Sequence, residues 1–428
     1  MPTARHLASF CLTFATLCAV QATGAEPTAP SWNRFRGPNG SGVASDANLP
    51  LQWTDKDYLW KTPVPGVGHS SPVVWQDRIY LSSATEDDAT RIVLSLRLSD
   101  GRVQWTRKFP SHTHPKNRQN SYGSSTPVVD AQRVYHCWAT PQEFVVVALD
   151  RKTGKELWRR DLGPFPAEHG FGSSPILWGD LVIVANEQNE TSSVVALDQK
   201  TGQVRWTAPR RTVKAAYATP CLYQAPKGPE QLIVVGWAHG VSSLDPATGK
   251  ENWELPILKN RVVASPLVAC GLIFAQCGSG GGGKQFVAVR PGDPASGQQP
   301  ELAYELKDSL PYVPIPVSDG KLVYFMSDGG VATCFRPADG EIVWRERVGG
   351  KYFASPILVR DRLYCVSREG QMVILAAGEQ YKLLAQVELG EGSSATPAVA
   401  NGVMYIRTAS KLMALGKRGA AVRTAAAQ

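Results

Sequence analysis

The sequence predicts an all-β protein, an eight-bladed β-propeller made of four-stranded antiparallel blades. Three observations lead to this prediction. A hairpin-like segment that ends on Trp recurs along the chain, and a small residue followed by Pro and a short apolar run recurs eight times. In addition, 39 Gly and 31 Pro suit a chain made of turns, and no segment predicts a helix of convincing length.

The recurring hairpin is clearest in VVALDRKTGKELW, Val146 to Trp158. Asp150 can accept a hydrogen bond from a backbone amide just ahead of it, and Gly154 can take the positive φ that a tight turn needs. An apolar strand, this turn and a polar strand therefore predict a β-hairpin. Similar segments lie at 94–105, 194–206, 242–253 and 331–344.

The Pro-marked segments set the length of the repeat. Each is followed by a β-branched or aromatic run, so each repeat holds four short strands with the Pro-marked strand first and the Trp-marked strand last. The intervals between successive prolines are 40 to 55 residues, which is typical of propeller blades. The eight prolines are Pro72, Pro127, Pro175, Pro220, Pro266, Pro316, Pro356 and Pro397.

The eighth repeat, 395–416, supplies only three strands before the repeats end. The missing strand is predicted at the other end of the chain, in YLWKTPV at 58–64, which carries Trp60. Pairing this N-terminal strand with the C-terminal blade would close the ring and leave no exposed sheet edge at the seam.

The pattern A-x-D-x-x-T-G-K-x-x-W at 148–158 and its copies resemble the PQQ-like repeat of the quinoprotein alcohol dehydrogenase-like superfamily. The resemblance covers residues 58–416 and implies an eight-bladed propeller in which the Trp docks one blade on its neighbour. Tyr304 and Ala385 replace the Trp in blades five and seven. The resemblance assigns this docking role to Trp60, Trp105, Trp158, Trp206, Trp253 and Trp344.

Both ends of the chain are predicted to lie outside the propeller. Residues 1–25 carry Arg5, an apolar run from 7 to 20 and small residues that fit cleavage, so a signal peptide is expected. The apolar run is shorter than a membrane span of roughly 20 residues. A periplasmic or secreted protein without a transmembrane segment follows, soluble rather than lipid-anchored. The tail, 417–428, is expected to be disordered.

The stretch 26–57 is rich in Pro, Gly, Asn and Ser, yet it contains Trp32, Phe35 and Trp53. A flexible leader does not need three large aromatic residues. We therefore expect an N-terminal extension that packs on the propeller, over a blade or over one mouth of the channel.

Six cysteines follow the signal peptide, each in or beside an apolar run, and none forms a C-x-x-C or adjacent pair. Buried free thiols are expected. A disulfide between Cys270 and Cys277 is the alternative in an oxidising compartment.

Binding residues are expected in the connections from the last strand of one blade to the first strand of the next, which gather on one face around the channel. From 112 onward, these connections carry nine Lys and Arg residues against Glu168 and Asp308, and the net charge is +8. A positive face suits a protein partner or an anionic ligand; simple solvated loop charges are the alternative. The candidate binding residues are His69, His112, His114, Tyr122, His169, Arg211, Lys214, Arg261, Tyr312 and Lys351.

Several other partners are not expected. Nucleic acid is excluded by the predicted export and by the lack of a run of basic residues. His112 and His114 have no carboxylate or Cys nearby at a useful spacing, so no metal site is predicted. A monomer is expected. GSGGGGK at 278–284 superficially resembles a phosphate loop, but it lies between two predicted strands, and a flexible loop is favoured.

Two main function classes remain. The repeats resemble those of the BamB-type subunit of the outer-membrane assembly machinery, which implies an interaction scaffold with no catalytic residues and no cofactor. The alternative is a quinoprotein dehydrogenase that uses PQQ and calcium. The similar enzymes carry an adjacent Cys pair, an acidic calcium site and in some cases C-x-x-C-H, and the sequence shows none of these at the expected places. Binding of an anionic polysaccharide is a third interpretation.

Overall fold

The computed structural model describes residues 32–45 and 47–417, so the predicted signal peptide and nearly all of the predicted tail lie outside the described residues. Within the described part, two short 3-10 helices, Pro38–Gly40 and Asp55–Asp57, accompany thirty-three strands, and no helix is long and apolar enough to span a membrane.

In chain order the strands are β1 (Val43–Ala44), β2 (Tyr58–Pro63), β3 (Val73–Trp75), β4 (Arg78–Ala84), β5 (Arg91–Arg97), β6 (Val103–Phe109), β7 (Val128–Val129), β8 (Arg133–Ala139), β9 (Phe144–Asp150), β10 (Glu156–Asp161), β11 (Ile176–Trp178), β12 (Leu181–Asn186), β13 (Ser192–Asp198), β14 (Val204–Arg210), β15 (Cys221–Gln224), β16 (Glu230–Gly236), β17 (Gly240–Leu244), β18 (Glu251–Leu255), β19 (Leu267–Ala269), β20 (Leu272–Ser279), β21 (Gly282–Arg290), β22 (Glu301–Leu306), β23 (Val317–Ser318), β24 (Val323–Met326), β25 (Val331–Phe335), β26 (Ile342–Arg347), β27 (Ile357–Val359), β28 (Arg362–Val366), β29 (Gln371–Ala376), β30 (Leu383–Glu388), β31 (Ala398–Ala400), β32 (Val403–Arg407) and β33 (Lys411–Leu415).

These strands form eight sheets, and the predicted eight-bladed all-β propeller is confirmed. Blades one to seven follow the chain in consecutive groups of four antiparallel strands, from β3–β6 to β27–β30. The last sheet has the order β2-β33-β32-β31, with Trp60 opposite Ala414. The N-terminal strand therefore closes the ring at the C-terminal blade, because β33 would otherwise expose an unpaired edge.

The outer strands are joined to the next blade through their Trp residues. Each Trp ring covers the turn of the following blade, where a Cβ on Gly154 would lie 2.6 Å from the ring of Trp105. Tyr304 acts in the same way through its hydroxyl, which donates to the carbonyl of Pro337 at 2.8 Å. The indole N–H donates to a backbone carbonyl in the pairs Trp60–Leu98, Trp105–Arg151, Trp158–Gln199, Trp206–Pro246, Trp253–Gly292 and Trp344–Gly378, at 2.9–3.1 Å.

The inner strands are joined by a belt of hydroxyl groups around the channel. In seven of the eight blades the residue before the marker Pro is Ser or Thr. The belt is interrupted at blade six, where Ile315 stands in this position, and Ser71 Oγ has no hydrogen-bond partner among the described residues. Backbone N–H groups donate to the hydroxyl of the next blade in the pairs Ser71–Thr126, Thr126–Ser174, Ser174–Thr219, Thr219–Ser265, Ile315–Ser355 and Ser355–Thr396, at 2.9–3.0 Å.

The segment before β2 lies against the inner strands of several blades. Trp32 is 2% exposed and exchanges two backbone hydrogen bonds with Val74 of β3. The side chain of Asn39 bonds the backbone of Leu222 in blade four, and β1 adds a parallel fifth strand to the inner edge of blade seven. Residues 32–44 therefore cross the channel and contact blades on opposite sides of the ring.

The cysteines and the glycine-rich segment differ from the expectations in two respects. All six cysteines of the described residues are free, so the Cys270–Cys277 disulfide is absent, and Cys270 is exposed rather than buried. The glycine-rich segment 278–284 is a short hairpin that continues β20 and β21, rather than a flexible loop. The strands extend into it because Ser279 still pairs with Gly282.

The contact between Trp and turn Gly predicts a large cost for adding a methyl group at Gly202. Its φ is +68°, and a Cβ would lie 2.6 Å from the ring of Trp158. Gly202→Ala should lower the free energy of unfolding by about 2–5 kcal/mol, the sum of left-handed strain and overpacking. The measurement is urea-induced unfolding followed by Trp fluorescence.

Gly179→Ala is the matched control, since Gly179 has a φ of +53° but nothing within 4 Å of its added Cβ. It should lose only about 1–2 kcal/mol. Equal losses in the two variants would show that the Trp–Gly contact does not stabilise the blade interface.

Candidate functional site

Two sets of connections share one face of the ring. Because neighbouring strands of a blade are antiparallel, the hairpin between its second and third strands lies at the same end as the connection to the next blade. The turns between third and fourth strands, such as 150–156, lie at the opposite end. We call the first end the loop face.

A cavity of about 270 Å³ lies at the centre of the loop face. Hydroxyl residues of the belt line it, together with the amides of Asn117, Gln119 and Asn120. Phe35 of the N-terminal segment also lines the cavity. Since residues 32–44 cross the channel beneath, the cavity is a funnel that opens toward the loop face.

Arg34 and Arg36 flank Phe35 and hold the segment in the channel. Arg34 Nη2 donates to the carbonyl of Pro220 at 2.7 Å, and Arg36 Nη2 donates to the carbonyls of Pro316 and Pro356 at 2.9 and 3.1 Å. Neither forms an ion pair among the described residues. Burial lowers the pKa of Arg34 to about 10 and that of Arg36 to about 9, which leaves both charged at neutral pH.

One wall of the cavity is built around Arg261. Its Nη1 donates to Nε2 of His169 at 2.8 Å, and its Nη2 donates to Glu168 at 2.7 Å. Glu168 also pairs with Lys214, and these hydrogen bonds lower the pKa of its carboxyl group. Asn120 Nδ2 fixes the backbone here by donating to the carbonyl of His169 at 2.7 Å. The cluster therefore carries two cations and one anion.

Tyr217 and Tyr312 complete this wall. Tyr217 is 9% exposed, and its hydroxyl is buried beside the backbone of His169. Burial raises the pKa of Tyr217 to about 12, so its hydroxyl keeps its proton and can act as a donor at neutral pH. The backbone N–H groups of Tyr312 and Val313 donate to the carboxylate of Asp328, which fixes the loop that carries Tyr312.

His69 lines the opposite side of the cavity, next to the buried Arg407. Arg407 Nη1 donates to the carbonyls of Ser70 and Ser82 at 3.1 and 2.5 Å, and a Cβ on Gly68 would touch its guanidinium. Burial, followed by the charge of Arg407, lowers the pKa of His69 to about 4. His69 is therefore neutral at neutral pH.

Four of the ten predicted binding residues line this cavity: His69, His169, Arg261 and Tyr312. His114 and Tyr122 lie together in a small neighbouring pocket, with their rings 4.9 Å apart. The exposed His112 bonds Gln142 at 3.1 Å instead. The structure thus divides the predicted set between the cavity and its surroundings.

The remaining three predicted residues lie outside the cavity lining. Arg211 pairs with Glu254 at 2.8 Å, Lys214 pairs with Glu168, and Lys351 is exposed with its backbone N–H donating to Glu369. Each of the three is held by a glutamate that lies at least 18 residues away in the sequence.

The loop face carries more carboxylates beside its cations than the sequence led us to expect. The prediction counted only connections between blades, whereas the hairpins within blades bring Glu187, Asp328 and Glu369 to the same end. Arg210, counted as a surface cation, is buried against Glu187 at 3.0 Å. Several of the predicted cations are therefore neutralised.

His239 belongs to a cluster that the sequence interpretation missed. Its Nδ1 lies 2.6 Å from Glu254 and 3.8 Å from Glu251, and its Nε2 accepts the backbone N–H of Arg211. These three side chains could hold a metal ion by distance alone. However, Arg211 Nη2 already donates to both carboxylate oxygens of Glu254, at 2.8 and 2.9 Å. Burial lowers the pKa of His239 to about 4, so its ring is neutral at neutral pH. Arg34 and Arg36 were also missed, because nothing in WNRFRGPNG indicates that the segment enters the channel.

Arg36 bridges blades six and seven, so its loss should weaken the ring. Arg36→Ala is expected to lower the free energy of unfolding by about 2–4 kcal/mol, since hydrogen bonds from a charged donor to two buried carbonyls are removed. Urea unfolding measures the change. Arg118→Ala, an exposed arginine of the loop face, should stay within about 0.5 kcal/mol of the parent protein; an equal loss there would contradict the bridging role.

The lowered pKa of His69 predicts how the free energy of unfolding depends on pH. Its folded-state pKa of about 4 lies below the ordinary value of 6.5, so the unfolded chain binds more protons between these pH values and stability falls as pH drops through this window. His69→Gln should reduce the slope of unfolding free energy against pH by up to about 1.4 kcal/mol per pH unit. Urea titrations from pH 7 to pH 4 test this, with the exposed His112→Gln as control. An unchanged slope in His69→Gln would refute it.

Comparison with curated proteins finds relatives of two kinds. The chain is 25% identical over 281 residues to outer membrane protein assembly factor BamB of Yersinia pestis, covering 63% of this chain and 68% of that one. It is 27% identical over 246 residues to tetrathionate hydrolase of Acidithiobacillus ferrooxidans, covering 55% of this chain. The matched part spans about half, 46%, of the hydrolase.

Solved structures show the same fold. BamB from Moraxella catarrhalis aligns with a TM-score of 0.61 at 16% identity, covering 87% of this chain and 99% of that one. A quinohemoprotein alcohol dehydrogenase from Comamonas testosteroni aligns with a TM-score of 0.60 at 13% identity, covering 91% and 81%. At these identities the likeness concerns the fold alone.

A family model described as outer membrane protein assembly factor BamB matches residues 116–301 and 293–426. This match covers more than half of the chain and includes blades two to seven and the three C-terminal strands of blade eight. The chain therefore belongs to the BamB family of PQQ-like β-propellers.

Proposed function

We propose that this protein is an exported, non-catalytic scaffold that binds an acidic protein partner through its loop face. The observation that carries the proposal is a set of exposed cations around the funnel that make no ion pair among the described residues. They are Arg118, Lys259, Lys307 and Lys351. Free cations around a concave, rigid mouth favour association with an acidic surface.

The relatives support the type of partner. Two of them, from Yersinia pestis and Moranella endobia, are outer membrane protein assembly factors. By this similarity, a component of outer membrane protein assembly is the partner class that we propose here. The predicted signal peptide agrees with a place of action outside the cytoplasm.

The residues of the funnel argue against the dehydrogenase alternative. Within the described residues, no Asp, Glu or Cys lines the cavity. Calcium requires several oxygen ligands and usually carboxylates among them. The belt hydroxyls are already engaged as acceptors between blades. These residues do not fit a calcium-bound quinone, and the proposed scaffold has neither cofactor.

The proposal predicts that reversing free cations of the loop face weakens partner capture. The variant Lys259→Glu, Lys307→Glu and Lys351→Glu should bind the partner at least tenfold more weakly, because three attractive charges become repulsive. A photo-reactive residue placed at Asn117, beside the funnel, should cross-link the partner in the parent protein and lose the cross-link in the variant.

The matched control reverses three exposed lysines on the opposite end of the ring, Lys155, Lys200 and Lys250. It should retain the cross-link and the affinity. If the two triple variants lose capture equally, binding depends on net charge alone and the loop face is not the docking surface.

A further inference from the structure

Each blade has an outer strand, and no other strand pairs with its outer edge among the described residues. Natural proteins usually place charged residues or Pro on such edges, which hinders pairing with another chain. Seven of the eight outer strands contain at least two such residues, as β6 does with Arg107 and Lys108. In β30, the outer strand of blade seven, Glu388 is the only one. This edge is therefore the least protected of the eight.

The backbone of β30 has hydrogen-bonding groups that the fold leaves unused. The Leu389 N–H donates to the carbonyl of Gly370 inside the blade. Backbone groups of successive residues in an antiparallel pair point to alternate sides of the strand, so those of Gln386 and Glu388 point away from the blade. Neither residue has a partner for these groups among the described residues. The edge can therefore accept a further strand.

The position of blade seven in the ring explains why its outer strand is unusual. In the other blades, the Trp or Tyr of the outer strand contacts the turn between the third and fourth strands of the following blade. Blade eight has no such turn, because its third strand, β33, and its fourth strand, β2, come from opposite ends of the described chain. Ala385 therefore takes the Trp position, and Leu383, two residues before it, is 43% exposed.

Opposite charges lie at the two ends of this strand. Lys382, just before β30, and Glu388, its last residue, are exposed, and neither forms an ion pair among the described residues. Glu388 accepts a hydrogen bond from the side chain of Gln371 at 2.9 Å. When two such strands pair antiparallel, Lys382 of one copy lies near Glu388 of the other, whereas parallel pairing brings like charges together. The strand is therefore complementary to a second, antiparallel copy of itself.

We infer that β30 joins two copies of this chain, which pair antiparallel through this edge about a two-fold axis. Two-fold contacts of this kind use the same surface on both copies and are the commonest in soluble oligomers. The inference goes beyond the proposed scaffold function, since it concerns the side of the ring rather than the loop face. Antiparallel pairing leaves the two loop faces pointing in opposite directions, so both stay free to bind a partner.

The contact is small, so the association is expected to be weak and reversible. The six residues of β30 in each copy are far fewer than the roughly 20–30 residues per side of a stable interface. Sedimentation velocity from low-micromolar to near-millimolar protein measures the association. The average mass should rise with concentration toward that of a dimer. The mass of a single chain at every concentration would overturn the inference.

Reversing the charge at either end of β30 tests the antiparallel arrangement. Lys382→Glu and Glu388→Lys should each weaken dimerisation about tenfold, because each places like charges across the contact twice. The double variant should regain the parent affinity, since opposite charges again face each other. Lys108→Glu, which reverses an exposed lysine of β6, is the matched control and should dimerise as the parent does. Equal weakening by Lys108→Glu, or a double variant that stays monomeric, would contradict the arrangement.

Gln386→Pro tests the edge itself. The Gln386 N–H makes no bond within the blade, and Pro is tolerated in an edge strand where the N–H faces solvent. The variant should melt close to the parent temperature and remain monomeric. Dimerisation of Gln386→Pro with the parent affinity would place the contact elsewhere and refute the role of β30.

Hydrogen exchange distinguishes a second copy from another occupant of the edge. The amides of Gln386 and Glu388 should exchange freely in dilute protein and become protected as the dimer forms. Protection in a protein that stays monomeric would assign the edge to another segment of the same chain instead. The loop-face variant with Lys259, Lys307 and Lys351 reversed should still dimerise, so a failure of the scaffold proposal is distinguishable from a failure of this one.

Discussion

The structure depends on contacts that join each blade to the next at two distances from the channel axis. Near the channel, a backbone N–H donates to a Ser or Thr hydroxyl of the following blade, as Thr126 does to Ser174. Near the rim, a Trp ring covers the turn glycine of the following blade, as Trp158 covers Gly202. A four-stranded blade buries too little surface alone, so these repeated contacts and the closing strand β2 together make one stable ring.

The N-terminal segment follows from the geometry of that ring. The inner strands leave a channel lined by proline carbonyls, and Arg34 and Arg36 supply donors long enough to reach them. Trp32 and β1 attach the segment to blades one and seven. Because the segment crosses the channel, the funnel opens toward the loop face.

The electrostatics of the funnel and the rim have different origins. Near the loop face, hairpins within blades bring carboxylates beside cations: Glu187 pairs with Arg210 at the end of β14, and Asp328 pairs with Lys284 of β21. Inside the funnel the described lining carries no carboxylate, whereas Arg261 carries a positive charge. The rim therefore differs from the funnel in the balance of its charges.

The sequence by itself determined the number of blades, their strand order and the closure by 58–64, because turn glycines, prolines and Trp residues recur at fixed spacing and report local structure. It also placed His69, His169, Arg261 and Tyr312 on the face of the inter-blade connections, and the structure shows that all four line one cavity there. Only the tertiary structure decided which of the ten candidates share the cavity, since their ion-pair partners, such as Glu254 for Arg211, lie tens of residues away. It alone also placed Arg34, Arg36 and the hydroxyl belt around the channel, because a single sequence gives no distances between residues of different blades.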